Sequence, residues 1–262
     1  MHKFCTKGTV RIKLPHLTAT VMKKSIYAII GLKQFIICLS AIIAAASIVV
    51  GIDIYHLKSS AQADIRSDPP LIIIDAGHGG EDGGTVSSSG IIEKDINLAI
   101  SLKISQILKL YGFDTRMIRN DDRLIYDSDC KNVREKKISD IHNRMDVVNS
   151  YPDSIFLSIH QNHFDQSKYC GAQVFYSKNN PASKEIAECI QTSIVSKLQP
   201  ENTRLVKPSG SEIYLLYHAK SPAVMVECGF LSNGAEAQLL NDDEYQTKMA
   251  VAIIQGILTY LK

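Results

Sequence analysis

The stretch "IIIDAGHGGEDGG", residues 72–84, carries chemistry in its composition. An apolar run stops at Asp75. Five of the next nine residues are Gly, with His78 among them and the acids Glu81 and Asp82 just after it. A glycine loop after a strand serves two unlike purposes. It cradles a phosphate with backbone N–H groups, or it presents a side chain to a metal ion. The phosphate reading fails on spacing. The dinucleotide fingerprint G-x-G-x-x-G opens directly into a helix, whereas the eight residues "TVSSSGII" separate these glycines from Glu93. No G-K-S/T follows, and Glu81 beside Asp82 would repel a phosphate. The sequence therefore predicts no nucleotide ligand.

The metal reading needs partners, because a catalytic Zn²⁺ takes three N or O ligands and keeps one position open. His78 lies three residues past the first apolar run. Glu93, in "IIEKD", stands where the next periodic segment starts, and His160 directly follows "SIFLSI". Glu227 closes another apolar run, "AVMVE". An ionisable residue closing a buried strand is costly unless it is paired or bound to metal. His163, three beyond His160, is a rival ligand further from the strand end. Each residue also has a plainer reading. A lone loop His is usually solvated, Glu93 could answer a helix macrodipole, and Glu227 could pair with Lys or Arg. Spacing alone leaves the choice open.

The elements that must position these residues follow from periodicity. Runs at 71–75, 113–118, 154–159, 172–177, 212–216 and 223–227 are short and rich in Ile, Val and Phe, and read as strands. Helices are expected at "NRMDVVNS" with the residues before it, at 181–198 and at 244–261, with Pro181 near a first turn. Residues 96–105 alternate strictly, a strand signal. The segment nevertheless continues to Gly112, a good helix C-cap, so it is read as helix. Strands alternating with helices predict a single α/β domain. Its central, mostly parallel or mixed sheet is covered by helices on both faces. In such sheets the carboxyl ends of the strands open onto one crevice, which puts His78, His160 and Glu227 on one rim.

That domain spans residues 71–262, and what precedes it has another character. Residues 1–52 contain no Asp or Glu, but hold Lys3, Lys7, Arg11, Lys13, Lys23, Lys24 and Lys33. Residues 1–34 are therefore read as a basic cytoplasmic segment. Phe35 to Ile52 is uncharged and as a helix would reach roughly 27 Å, close to the hydrocarbon core of a bilayer. It is read as a transmembrane or signal-anchor helix that leaves the rest of the chain outside the cytoplasm. "AQAD" at 61–64 offers a signal-peptidase site after Ala63, and Met22 before "KKS" offers an alternative start. Residues 53–70, ending in "SDPP", read as a linker. With a net charge of +2, nothing suggests nucleic-acid binding. Of the six cysteines, Cys5 and Cys38 fall in the leader. Cys130, Cys170, Cys189 and Cys228 form no C-x-x-C pair and are read as buried free thiols, although an extracytoplasmic setting allows one bridge, Cys130 to Cys170.

"IIIDAGHGGEDGG", "IIEKDINLA", "LSIHQNH" and "VMVECGFLSN", in this order, resemble the motifs of the zinc-dependent N-acetylmuramoyl-L-alanine amidases of bacterial cell walls. "GAQVFYS", "ENTR" and "EIYLL" resemble more narrowly the germination-specific, sporulation-associated branch of that family. The resemblance implies Zn²⁺ bound by His78, Glu93 and His160, with Glu227 as the catalytic acid–base group. It implies peptidoglycan as substrate. The bond cut is the amide between the muramic acid lactyl group and L-Ala, in preparation for the muramic lactam of the spore cortex. Ala76 stands where a Pro is usual and Gln161 where a small residue is common, which touches loop shape and substrate fit. Two alternatives are another zinc hydrolase of wall peptides, such as a carboxypeptidase, and a non-catalytic wall-binding module. Retention of all four site residues argues against the second.

Overall fold

The computed structural model describes residues 69–262. The expectations for residues 1–34, for 35–52 and for nearly all of the 53–70 linker lie outside them. Among the described residues no helix is long and apolar enough to cross a membrane.

The chain runs through β1 (Ile72–Ala76), α1 (Glu93–Leu110), β2 (Thr115–Met117), α2 (Val133–Asn149), β3 (Ile155–Asn162) and β4 (Gln173–Tyr176). It continues through α3 (Ala182–Lys197), β5 (Lys207–Pro208), α4 (Tyr214–His218), β6 (Ala223–Phe230), α5 (Gly234–Leu240) and α6 (Asp243–Tyr260). The six strands form one sheet in the order β2-β1-β3-β6-β4-β5. β2, β1, β3 and β6 pair in parallel, while β4 runs antiparallel to β6, so the sheet is mixed.

Side-chain alternation sorts the core into two layers. Ile72, Ile74, Leu157, Ile159, Val224 and Val226 face one side and pack with α1, α3 and α6. Ile73, Phe156, Ala223 and Met225 face the other and pack with Met145 and Val148 of α2 and with Leu215 and Leu216 of α4. A strand covered on both faces has no solvated side, and this is why "IIID" and "SIFLSI" are nearly continuously apolar.

The ambiguous segment is helical. Ile96, Ile100, Ile104 and Leu108 form a fully buried stripe at every fourth position, and the intervening Leu98 and Leu102 are half-buried flanks of it. Gly112 takes φ +86°, and the amides of Gly112 and Phe113 donate to the carbonyls of Lys109 and Leu108. This double closure ends the helix.

Three expectations change. The run at 212–216 is not a strand. Residues 214–218 form α4, whose leucines seal the second face of the sheet, where a strand in the plane could not reach. Neither Glu227 nor His160 stands at the end of its strand. β6 continues to Phe230 and β3 to Asn162, because their polar tails still pair across the sheet. The four cysteines of the domain are free thiols, with only Cys228 buried and Cys170 exposed, so no Cys130–Cys170 bridge forms.

Candidate metal centre

β1, β3 and β6 lie side by side and bring their polar ends to one rim. His160 and Glu227 are cross-strand partners, with a register shift in β3 between His160 and Asn162. The loop after β1 carries His78 to the same place, and the first residue of α1 supplies Glu93. A potential ligand atom from each of His78, Glu93 and His160 lies within 4.8 Å of the others. Both rings converge on one oxygen, with His78 Nε2 3.3 Å and His160 Nδ1 3.0 Å from Glu93 Oε1. The rings stand edge to face, 5.0 Å between centroids. His163 lies past the end of β3, exposed and outside this cluster.

The glycine loop makes room for these groups. A Cβ on Gly77 would collide with the His160 imidazole, and a Cβ on Gly84 with the Glu93 carboxylate and the His78 ring. His78 itself has φ +62°, an uncommon state for a residue with a Cβ. Buried cations hold it there. Arg119 donates to the carbonyls of Ala76 (2.7 Å) and Gly77 (2.9 Å). Arg144 donates to those of Ala76 (2.9 Å) and His78 (2.7 Å). Arg144 is in turn fixed by Asp75 at 2.5 Å and Asp140 at 2.7 Å, and Ser158 donates to the second oxygen of Asp75. Burial would raise the Asp75 pKa, but the charge of Arg144 and these hydrogen bonds hold it below the usual carboxylate value.

Orientation of the donors is set from behind. His78 Nδ1 donates to Asp82 Oδ2 at 2.8 Å, which turns Nε2 toward Glu93. The other Asp82 oxygen pairs with Lys137 at 2.7 Å. A carboxylate behind a ligand His fixes its tautomer and raises its basicity. In the sequence Asp82 reads only as a repeller of phosphate. Its spacing of four from His78 was the available signal. Glu93 is nearly closed to solvent and receives the amides of Thr85 (2.9 Å) and Gln161 (3.1 Å) and the Asn97 side chain (3.2 Å). Gln161, read as a departure affecting loop shape, also donates its side-chain amide to Asn97 and so belongs to the layer that supports Glu93.

Electrostatics follow from this packing. Burial opposes ionisation of Glu93, but hydrogen bonds and charge from His160 and His78 outweigh it and keep the carboxyl well below its usual range. Burial likewise opposes charge on His78, but Asp82 and Glu93 prevail and lift its pKa to about 9. Any cation here therefore competes with a proton. Glu227 behaves oppositely. Burial, helped by the nearby Glu93 charge, pushes it up to about 7, against the opposing pull of His160 and His78. Its Oε2 is sealed from solvent and has no hydrogen-bond partner among the described residues. Such an atom is costly unless something outside the chain meets it. Two imidazoles and one carboxylate on rigid elements, backed by a second carboxylate, form a donor set suited to Zn²⁺ with a position left open.

Comparison with known proteins agrees with this geometry. The family model described as N-acetylmuramoyl-L-alanine amidase matches residues 72–259. The chain belongs to the N-acetylmuramoyl-L-alanine amidase family. Among its amidase relatives, the germination-specific N-acetylmuramoyl-L-alanine amidase of Bacillus subtilis is 33% identical over 190 residues, which cover 72% of this chain and 79% of the relative. The CwlD amidase from Clostridioides difficile, solved in complex with the GerS lipoprotein, superposes with a TM-score of 0.71 at 43% identity, over 73% of this chain and 98% of that one. The amidase AmiC2 of Nostoc punctiforme gives 0.62 at 28% identity, over 73% and 97%.

Proposed function

We propose that this amidase hydrolyses the bond between the lactyl group of N-acetylmuramic acid and L-alanine in spore-cortex peptidoglycan. His78, Glu93 and His160 would hold Zn²⁺, and Glu227 would act as general base and then general acid. The observation that carries the residue assignment is the pairing of Glu227 with His160 across β3 and β6. It sets an unpartnered, proton-accepting oxygen beside a converging three-donor cluster. Bound zinc would supply Lewis-acid polarisation of the amide carbonyl and a more acidic water.

The protein groups then have distinct tasks. Glu227, with a pKa near neutrality, accepts the proton of the attacking water and returns it to the nitrogen of the departing L-Ala. Asp82 holds the His78 ring in the tautomer that frees Nε2. The Thr85 and Gln161 amides and Asn97 hold Glu93 in place.

The cortex role rests on the likeness to the germination-specific relative from Bacillus subtilis. Removing whole stem peptides from muramic acid leaves a free lactyl carboxylate, the group from which a lactam can be closed. The proposed setting is extracytoplasmic, with residues 35–52 as the membrane anchor, on the strength of the acid-free, Lys-rich segment before it. Incubation of the purified protein with cortex peptidoglycan tests the reaction. Mass spectrometry should find intact stem peptides beginning with L-Ala. Release of single amino acids would instead make it a carboxypeptidase. A reporter active only outside the cytoplasm, fused after Lys262, tests the topology. Activity of a cytoplasm-only reporter there would refute it.

A further inference from the structure

A second group of side chains lies one strand away from Glu227. Gln173, the first residue of β4, is the cross-strand partner of Glu227 on the side opposite His160. Its buried amide donates to the carbonyl of Leu205 at 2.7 Å and so ties the 204–207 segment to the catalytic rim. Between that segment and the end of β3 is a cavity of about 270 Å³, lined by Asn162, Phe164, Tyr169, Arg204, Lys207 and Phe230 among others. Asn162 is two residues beyond His160, so the cavity adjoins the metal centre along the strand.

The chemistry of this cavity is specific. The Arg204 guanidinium lies over the Phe230 ring at 4.5 Å and near the Tyr169 ring at 5.9 Å. Its Nε donates to the Cys170 carbonyl at 2.8 Å. That bond and the stacking fix the plane of the guanidinium, while its two terminal nitrogens make no hydrogen bond or ion pair with a described residue. Glu236 is near enough to feel the charge, but its oxygens are taken by the amides of Gly171 (2.8 Å) and Phe230 (2.7 Å). Lys207 lines the same cavity, and no carboxylate comes within ion-pair distance of it among the described residues. Phe164, 49% exposed, forms an apolar wall. A planar, stacked guanidinium with its fork unoccupied is the arrangement that receives a carboxylate on two donors.

We propose that Arg204, on its aromatic bed one strand away from Glu227, is the subsite for a carboxylate of the stem peptide on the leaving side of the scissile amide. The inference rests on the amidase reading. The choice of side follows from charge. The lactyl carboxyl is consumed in the amide, and the sugars flanking it carry hydroxyl and acetamido groups. The peptide beyond L-Ala carries free carboxylates. Arg204 is thus a specificity-determining residue that sets the register of the peptide, with Lys207 adding charge at the mouth.

Equilibrium binding of a fluorescent stem peptide, alanyl-γ-glutamyl-lysine, with its carboxylates either free or amidated, tests the assignment without depending on turnover. The native protein should bind the free acid about tenfold or more tightly than the amide, as a charge-assisted pair requires. Arg204→Gln should bring the two affinities within about a factor of two of each other. Arg204→Lys should keep a weakened, more salt-sensitive preference. Circular dichroism of each variant would separate misfolding from loss of the subsite. Equal binding of the two peptides by the native protein, or a full preference surviving in a folded Arg204→Gln, overturns the proposal. Failure of the native protein to release stem peptides from peptidoglycan would sink the amidase reading instead, and would not alter this difference in binding.

Discussion

Arg144 donates from Nη2 to the backbone carbonyl of His78 at 2.7 Å while its neighbouring Nη1 is paired with Asp75 at 2.5 Å. One guanidinium therefore links the charged residue of β1 to the peptide that carries an imidazole of the candidate metal centre. Removing it leaves Asp75 and Asp140 buried without the cation that pairs with them, and only the more distant charge of Arg119 remains. Loss of one partner from a buried pair costs about 3–5 kcal/mol. Arg144→Met should lower the unfolding free energy by an amount in that range in urea titration. A cost below about 1 kcal/mol would show that the latch is not structural.

The same pair sets an acid limit. The Asp75 pKa is held below the ordinary value of an aspartate, so its ionised form stabilises the fold above about pH 4, and this contribution is lost as pH falls through the folded-state value. Asp75→Asn cannot lose what it never had. The stability gap between native protein and Asp75→Asn should be widest near neutral pH and close on acidification. A gap that grows toward pH 3 would contradict the direction of the shift.

Metal content should separate the two histidines of "HQNH". His160→Ala should lose zinc, and His163→Ala should keep it, by elemental analysis of the purified proteins. Chelation of the native protein should lower its Tm by about 5 °C or more when compared with about 100 Kd of zinc, a linkage worth ~2.7 kcal/mol. Retention of zinc by His160→Ala would require another ligand set.

Asp82 acts through His78. Asp82→Ala should weaken zinc affinity roughly 10–100-fold, the usual worth of a carboxylate behind a ligand His. With saturating zinc much of the activity should return. Unchanged affinity in a competition titration against a chromogenic chelator would remove Asp82 from the site.

Glu227→Gln keeps the shape and removes the proton acceptor. Zinc content and melting should be retained, and turnover should drop about 10²–10⁴-fold. Near-normal release of stem peptides by a zinc-loaded variant would end the acid–base assignment. Loss of zinc would make Glu227 a ligand.

What the sequence disclosed depended on how local the physics was. His78, Glu93 and His160 stood out as candidates because each follows or opens a segment with a clear apolar period, but spacing left the choice open and the family resemblance singled them out as a set. α1 was legible despite its alternation because Gly112 supplies the left-handed residue that ends a helix. The run at 212–216 was not, since five apolar residues fit either period and only the uncovered face of the sheet selects the helix. The tails of β3 and β6 were hidden for a related reason. Gln161 is polar and would pass for loop, yet it is 3% exposed and serves Asn97. The latches made by Arg119 and Arg144 span more than forty residues, and no spacing rule reaches that far.

The reversal of β4 has a consequence for what walls the site. The strands that hold His160 and Glu227 run parallel, and their spacing is locked by the pairing of core residues. Because β4 runs the other way, its first residue, Gln173, faces Glu227, and the excursion from 163 to 172 must begin and end on the catalytic rim. Its partner segment at 199–207 meets it there through Arg204 and Gln173. Neither excursion contributes a donor to the candidate metal centre. The sheet thus fixes the candidate donors, while the wall that a polymer would meet is built from two segments outside it.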